Sequence, residues 1–120
     1  MEREIKILIV EDDVISSLYW SRSLRKMNYK KIHSVVSGES AIEYSKIEKP
    51  DLILMDIELG GKLNGLETAS LIKTFCDAKI IFITSYPDNE FLNKLQSFNS
   101  SKYLIKPVSI DNIVNIIGRL

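Results

Sequence analysis

Four short polar sequences in this chain combine carboxylates, hydroxyls and a lysine, and each follows an apolar run. They are Glu11-Asp12-Asp13, Asp56, Thr84-Ser85 and Lys106-Pro107. Carboxylates brought together would repel one another by roughly 4 kcal/mol for each pair about 4 Å apart, at an effective dielectric constant near 20. Such a cluster is tolerable if one acid stays protonated or if a cation such as Mg²⁺, which prefers oxygen ligands, lies among the acids. An aspartate held between Mg²⁺ and a lysine is a candidate nucleophile toward phosphorus and would form an acyl phosphate.

The elements that would position these residues follow from the hydrophobic pattern. Short apolar runs typical of strands alternate with apolar residues at helical spacing. The pattern predicts strands over 5–10, 31–35, 52–55, 79–83 and 102–105, and helices over 14–27, 38–48, 66–75, 88–98 and 110–117. Along the first helix, the apolar residues at spacings of three and four are Ile15, Leu18, Tyr19, Leu24 and Met27, and Trp20 is expected to pack with the last two.

Five strands that alternate with five helices predict an α/β fold. The expected architecture is a flavodoxin-like, doubly wound, five-stranded parallel sheet with helices on both faces. Right-handed crossovers favour the strand order 2-1-3-4-5. In such sheets ligands bind at the carboxyl ends of the strands, where the order reverses, here between the first and third strands. All four polar sequences are predicted to lie at that edge.

The composition fits one globular domain. The chain has 120 residues, of which 45% are hydrophobic and 27% are charged. Its 16 basic and 16 acidic residues balance, so no basic excess favours nucleic acid as a partner. No apolar stretch approaches the roughly 18–20 residues of a membrane helix, and the first residues do not resemble a signal peptide. The single cysteine, Cys76, excludes an internal disulfide, and a reducing cytoplasm is the expected location.

Each polar residue also has an ordinary structural explanation. Asp12 or Asp13 could cap the first helix, and Asp56 could form an Asx turn before the glycine-containing loop. Thr84 taken alone is a loop hydroxyl, and Lys106 taken alone is a solvated surface lysine. Their shared position at the ends of separate predicted strands favours one common site over four unrelated explanations.

Taken together, these sequences resemble the receiver domains of two-component response regulators, and they are similar to the chemotaxis response regulator in size and order of elements. The resemblance covers essentially the whole chain. It rests on ILIVEDD (7–13), PDLILMDIELGGKLNGLE (50–67), IIFITS (80–85) and YLIKP (103–107). It implies a signalling switch, rather than an enzyme with its own substrate, that takes a phosphoryl group from a sensor histidine kinase in a reaction dependent on Mg²⁺.

The resemblance assigns roles to individual residues. Asp56 matches the phosphoacceptor. Asp12 matches a direct Mg²⁺ ligand, Glu11 matches an acid that acts on the metal through water, and the backbone carbonyl of Glu58 matches the remaining protein ligand. Lys106 matches the lysine that pairs with the phosphoryl group.

The resemblance also implies a switch that reports phosphorylation. Thr84 matches the hydroxyl that turns toward the phosphoryl oxygens, and Tyr103 matches the aromatic residue that turns inward when the hydroxyl moves. Pro107 implies a cis Lys-Pro bond. The implied readout is a changed surface of the fourth helix, fifth strand and fifth helix, which would control an unknown output protein or domain or form a phosphorylation-dependent homodimer.

The chain departs from the family pattern near the predicted site. The loop after the phosphoacceptor is one residue longer than the commonest pattern, and Asn64-Gly65 stands where Asp-Gly is frequent. Asp13 is an additional acid, interpreted first as a helix-start residue and second as a contributor to the metal site. Glu58 and Tyr86 are either ordinary loop residues or, by hypothesis, flank the path of the hydrolytic water and slow self-dephosphorylation.

Two other functions stay open at this level. A phosphohydrolase of the haloacid dehalogenase type also combines an aspartate nucleophile with a hydroxyl and a lysine, but it needs a second aspartate where this chain has Glu58. A degenerate receiver would bind partners without phosphorylation, which the complete set of acids, hydroxyl and lysine disfavours. Residues 1–120 are expected to form a single receiver domain without an output domain, acting alone by docking or as a module of a larger regulator or hybrid kinase.

Overall fold

One five-stranded sheet with helices on both faces organises the chain, for which a computed structural model describes residues 4–98 and 102–118. All neighbouring strands are parallel, and the order β2-β1-β3-β4-β5 confirms the predicted topology. The elements, in chain order, are β1 (Ile7–Val10), α1 (Val14–Lys26), β2 (Ile32–Val35), α2 (Gly38–Glu48), β3 (Leu52–Asp56), α3 (Gly65–Ile72), β4 (Lys79–Thr84), α4 (Asn89–Leu95), β5 (Lys102–Ile105) and α5 (Ile110–Ile117).

The sheet separates two hydrophobic cores. Successive residues of a strand point to opposite faces, so β1 contributes Leu8 and Val10 to one core and Ile7 and Ile9 to the other. The first core lies between the sheet and α2, α3 and α4, and the second lies between the sheet and α1 and α5. Because helices cover both faces, β1, β3 and β4 are buried almost completely, which explains their nearly continuous apolar sequences.

The core-facing side of α1 differs from the one that the sequence indicates. Ile15 is 80% exposed, and Leu18 and Tyr19 are about half exposed, whereas Trp20 and Leu24 are buried against the sheet. The apolar residues of α1 therefore form two stripes rather than one. Nine positions separate Ile15 from Leu24, about two and a half helical turns, so they lie on opposite sides of the helix. The expected packing of Trp20 is confirmed, but the assignment of Ile15, Leu18 and Tyr19 to the same face was wrong.

Two helices are shorter than the sequence predicts. The third ends at Ile72 and the fourth at Leu95, each three residues early. In both cases the chain continues in tight turns, in which the backbone N–H of Phe75 bonds to the Ile72 carbonyl and that of Phe98 to the Leu95 carbonyl. Both phenylalanines still pack on the first core. Apolar spacing therefore continues beyond the helix and does not mark where it ends.

Replacement of Ser45 by alanine should stabilise the fold. Ser45 lies on α2 and is fully buried, and its Oγ has no hydrogen-bond partner within the described residues. A buried hydroxyl without a partner destabilises a protein by about 1–3 kcal/mol. We expect Ser45→Ala to raise the free energy of unfolding, measured by urea denaturation, by about 1 kcal/mol.

The control for helix propensity is Ser70→Ala, because Ser70 is an exposed serine on α3. An increase at Ser45 no larger than the increase at Ser70 would show that the Ser45 hydroxyl is satisfied in solution.

Candidate functional site

The carboxyl ends of four strands bring the predicted site residues to one edge of the sheet. Glu11 directly follows β1, Asp56 ends β3, Thr84 ends β4, and Lys106 directly follows β5. The pairs β1–β3, β3–β4 and β4–β5 are neighbours. Glu11, Asp56 and Thr84 are each only 1% exposed, although all three are polar, while Asp12 is exposed. The sheet therefore holds two acids and a hydroxyl away from bulk water at the place where the topology predicts a ligand site.

Lys106 contacts both buried carboxylates. Its Nζ lies 3.3 Å from Asp56 Oδ1 and 3.3 Å from Glu11 Oε1. Partial burial acts to lower the pKa of Lys106, but the charges of Asp56 and Glu11 outweigh it and raise that pKa above its ordinary value. The backbone N–H of Lys106 donates to the Thr84 carbonyl at 2.9 Å, and the Lys106–Pro107 peptide bond is cis. The lysine is thus a cation at neutral pH, tied to the strand that carries Thr84.

Asp56 lies close enough to Glu11 to influence its pKa. The pKa of Glu11 is raised from its ordinary value of 4.5 to about 8, first because the carboxyl is buried and then because it hydrogen-bonds to Asp56 and feels its charge. The backbone N–H of Asp13 and the charge of Lys106 act in the opposite direction without cancelling the rise. A single lysine therefore does not neutralise this pair, and Glu11 retains a proton near neutral pH.

The three acids have the chemistry of a divalent cation site. One carboxylate oxygen each from Glu11, Asp12 and Asp56 can be chosen so that all three lie within 4.8 Å of one another. Glu11 Oε1 is buried without a hydrogen-bond donor of its own, and the only cation beside it in the described residues is the ammonium of Lys106, which it shares with Asp56. Oxygen donors completed by water are what Mg²⁺ prefers. The residues therefore fit Mg²⁺, while the Glu58 carbonyl as a further ligand stays a prediction.

Asp13, and not Asp12, begins the first helix. Asp13 is the N-cap of α1, and its carboxylate accepts hydrogen bonds from the Ile15 N–H at 3.3 Å and the Ser16 hydroxyl at 2.6 Å. The interpretation of Asp13 as a helix-start residue is confirmed. Asp12 Oδ2 instead accepts from the Gly60 N–H at 3.1 Å, which connects the loop after β3 to the candidate metal ligands.

Thr84 and Tyr103 lie on the same side of the sheet. Tyr103 of β5 stands beside Phe82 of β4, and Thr84 follows Phe82 by two residues on the same face. The Tyr103 ring is half-buried and packs edge-on against Phe91 of α4, with the ring centroids 5.5 Å apart. Thr84 Oγ1 accepts from the backbone N–H of Tyr86 at 3.1 Å. The structure therefore brings the two predicted switch residues to one face, next to α4.

Sequence reasoning missed the support that the start of α3 gives to Asp56. Gly65 packs directly on the backbone of Asp56, where an added Cβ would overlap the Asp56 carbonyl oxygen and lie 2.8 Å from Ile57 Cα. Asn64 and Glu67 form a reciprocal capping box at this helix start. The Asn-x-x-Glu spacing of the box was readable in the sequence. The requirement for glycine was not, because it arises from a contact with a different element.

A buried acid–lysine pair and a hydroxyl at the carboxyl edge of a doubly wound sheet are features of the receiver class of signalling domains. The chain belongs to the response regulator receiver domain family, whose family model matches residues 7–118. Receiver domains act in two-component signalling, are phosphorylated on an aspartate, typically use Mg²⁺, and are not enzymes in the usual sense. They work with histidine kinases and output domains.

Curated relatives support the same assignment. The chain is 36% identical over 103 residues to the transcriptional regulatory protein YvrH of Bacillus subtilis, covering 84% of this chain and 42% of that protein. It is 27% identical over 109 residues to the transcriptional regulatory protein PdtaR of Mycobacterium tuberculosis, covering 91% and 53%. It is 33% identical to hybrid signal transduction histidine kinase H of Dictyostelium discoideum, covering 89% of this chain and 8% of that protein. The chain thus spans about half the length of the regulators, and much less of the hybrid kinase.

Solved structures share the fold. The signal receiver domain of a modulated diguanylate cyclase from Desulfovibrio desulfuricans G20 superposes with a TM-score of 0.86 at 34% identity, covering 96% of this chain and 91% of that chain. A CheY-like receiver domain from Methanospirillum hungatei superposes with a TM-score of 0.89 at 22% identity, covering 96% and 91%, and supports the fold alone. Within residues 4–98 and 102–118, no helix has both the length and the apolar character needed to cross a membrane.

Mg²⁺ binding should become tighter as the pH rises from 6 to 8. The pKa of Glu11 is about 8 when no cation is bound, so its proton opposes the cation and must leave when the cation binds. We expect the affinity measured by titration calorimetry to rise by about tenfold or more over this range. Proton release should appear as a difference between two buffers of unequal ionisation enthalpy.

Glu11→Gln should bind Mg²⁺ more weakly and lose most of this pH dependence, whereas Glu43→Gln, an exposed acid on α2, should keep it. An affinity that does not change between pH 6 and pH 8 in the unaltered chain would contradict a proton held at Glu11.

Proposed function

We propose that Asp56 accepts a phosphoryl group from a sensor histidine kinase in a reaction dependent on Mg²⁺. In this proposal residues 1–120 act as one receiver domain in the cytoplasm, and the surface formed by α4, β5 and α5 transmits the change to a partner or an attached output. The observation that carries the proposal is the buried Asp56 carboxylate, 3.3 Å from the Lys106 ammonium and grouped with Glu11 and Asp12. The names of the relatives, which include transcriptional regulators and a hybrid kinase, support an attached output.

The transfer needs a nucleophile, a positive charge that stabilises the phosphoryl oxygens, and a leaving group. The Asp56 carboxylate attacks phosphorus, a new O–P bond forms, and the P–N bond to the kinase histidine breaks. The imidazole nitrogen keeps the bonding electron pair and takes up a proton. Lys106 pairs with a phosphoryl oxygen as negative charge gathers there. Asp12, Asp56 and the Glu58 carbonyl would hold Mg²⁺ directly and Glu11 would act through water, and the cation would supply positive charge to offset that of the carboxylates and the phosphoryl group.

The added charge would drive the switch. A phosphoryl group brings about −1.5 to −2 units of charge to the buried edge of the sheet. The Thr84 hydroxyl, which now accepts from the Tyr86 N–H, would turn to donate to a phosphoryl oxygen. Tyr103 shares that face and packs on α4 through Phe91, so its ring would follow inward and change the surface of α4, β5 and α5. That surface is also the proposed interface of a phosphorylation-dependent homodimer.

The acceptor can be identified by intact mass. We expect one phosphoryl group to appear when the chain is incubated with a small-molecule phosphodonor and Mg²⁺, and none with a chelator. Asp56→Asn should remove the modification because the nucleophilic oxygen is lost. Asp77→Asn should not, because the Asp77 side chain is fully exposed and pairs with Lys73, away from the acid cluster. No modification under any condition would favour a domain that binds partners without phosphorylation.

The switch can be separated from the chemistry with Thr84→Ala. This variant keeps Asp56 and Lys106, so it should still be phosphorylated. We expect most of the phosphorylation-dependent changes in amide chemical shift on α4, β5 and α5 to disappear, because the hydroxyl that links the phosphoryl group to Tyr103 is missing. The control is Thr74→Ala, because Thr74 lies just beyond α3 and its hydroxyl only donates to the Leu71 carbonyl in that helix. Full-size shift changes in Thr84→Ala would show that the signal travels by another route.

A further inference from the structure

The Glu58 side chain connects the loop after β3 to the loop after β4, next to Asp56. In the register of β3 and β4, Asp56 stands beside Ile83, and the pairing extended by two residues sets Glu58 opposite Ser85. Glu58 Oε1 accepts the backbone N–H of Ser85 at 2.8 Å. The loop after β3 and the loop after β4 are therefore joined by a charge-assisted hydrogen bond, the stronger kind in proteins.

The hydrogen bonds around this bridge show which donors are already used. The backbone N–H of Glu58 donates to Asp56 Oδ1 at 3.0 Å, so Glu58 begins directly against the predicted acceptor carboxylate. The N–H of Tyr86 is taken by Thr84 Oγ1. The N–H of Ser85, the residue directly after Thr84, is bonded to a side-chain anion of the other loop. Asp56 pairs with Ile83, two residues before Ser85, and a competing anion can take the Ser85 amide only by displacing Glu58.

We propose that Glu58 is a positioning residue. Before phosphorylation, its carboxylate accepts the Ser85 N–H that a phosphoryl oxygen would accept afterwards. It holds the Ser85 amide, and with it the loop after β4, in the unphosphorylated arrangement. This role rests on the proposed function of Asp56. When Asp56 carries a phosphoryl group, two anions compete for the same N–H, and their repulsion on one short loop favours release of Glu58.

Under this proposal Glu58 slows phosphorylation in two separable ways, through its hydrogen bond to Ser85 and through its negative charge. Glu58→Gln keeps an oxygen that can accept from Ser85 but removes the charge, whereas Glu58→Ala removes both. Since Glu58 is exposed, neither change disturbs the core. Charge repulsion alone predicts that both variants react faster with an anionic phosphodonor, by about threefold, the size expected for an exposed charge interaction.

The first measurement is amide hydrogen exchange at Ser85 in the unphosphorylated chain, by nuclear magnetic resonance. Exchange should be slow in the unaltered chain and in Glu58→Gln, and severalfold faster in Glu58→Ala. After phosphorylation, Ser85 exchange should be slow in all three proteins, Glu58→Ala included, because a phosphoryl oxygen then accepts this N–H in place of the side chain of residue 58. Before phosphorylation, Ser85 exchange in Glu58→Ala equal to that of the unaltered chain would overturn the bridge.

The second measurement is the rate of phosphorylation by intact mass, at low salt and in 1 M salt. The advantage of Glu58→Gln over the unaltered chain should fall toward one at 1 M, where the Debye length is about 3 Å. A purely structural role would not change with salt in this way. Glu43→Gln, which removes one remote surface charge, should react like the unaltered chain. Equal rates for Glu58→Gln and the unaltered chain at low salt would overturn the role of the charge.

The two proposals fail in different ways. If Asp56 takes no phosphoryl group in any variant, the proposed function fails, and the role of Glu58 fails with it. If Asp56 is phosphorylated in every variant at the same rate and Ser85 exchange is unchanged, only the role of Glu58 fails.

Discussion

The burial of two carboxylates against one lysine is the constraint on which the rest of the site depends. Glu11 and Asp56 lie at the ends of central strands and are almost inaccessible to water, and the Lys106 ammonium is 3.3 Å from each. Charges removed from water are costly unless they are paired and hydrogen-bonded. One cation for two buried acids leaves the group short of positive charge. Burial first, and then the hydrogen bond to Asp56 and its charge, raise the pKa of Glu11, and the shortage of positive charge makes the site suited to a divalent cation.

The doubly wound fold creates this situation because it buries the strands on both faces and leaves their carboxyl ends open. Helices cover both sides of β1, β3 and β4, so an acid at the last strand position is held by core packing rather than by a flexible loop. The same geometry explains why one residue can have both a structural and a chemical explanation. Asp56 forms the Asx-type hydrogen bond with the Glu58 N–H and contacts Lys106 as well. The turn fixes the carboxylate, and the fixed carboxylate is then available for chemistry.

The loops beside Asp56 are held by contacts that connect separate elements. Asp12 bonds to Gly60, Glu58 bonds to Ser85, and Gly65 packs on the Asp56 backbone. Each contact joins residues from different elements or loops. A phosphoryl group at Asp56 would therefore encounter backbone N–H groups that already donate to other side chains. To accept from these N–H groups, it would have to displace those side chains.

The sequence by itself determined the strand order, the edge of the sheet that carries the acids, the lysine and the hydroxyl, and the family. Strands buried on both faces need continuous apolar runs, and strands that alternate with helices can be arranged in only a few topologies. The local sequence pattern therefore predicts these features. The tertiary structure alone decided which stripe of α1 faces the sheet, because Ile15 and Trp20 are equally apolar and only the position of the sheet separates them. It also decided that Gly65 must be glycine, that Asp13 rather than Asp12 caps α1, and that Glu58 reaches Ser85. These contacts depend on distances between elements, which spacing along a chain does not encode.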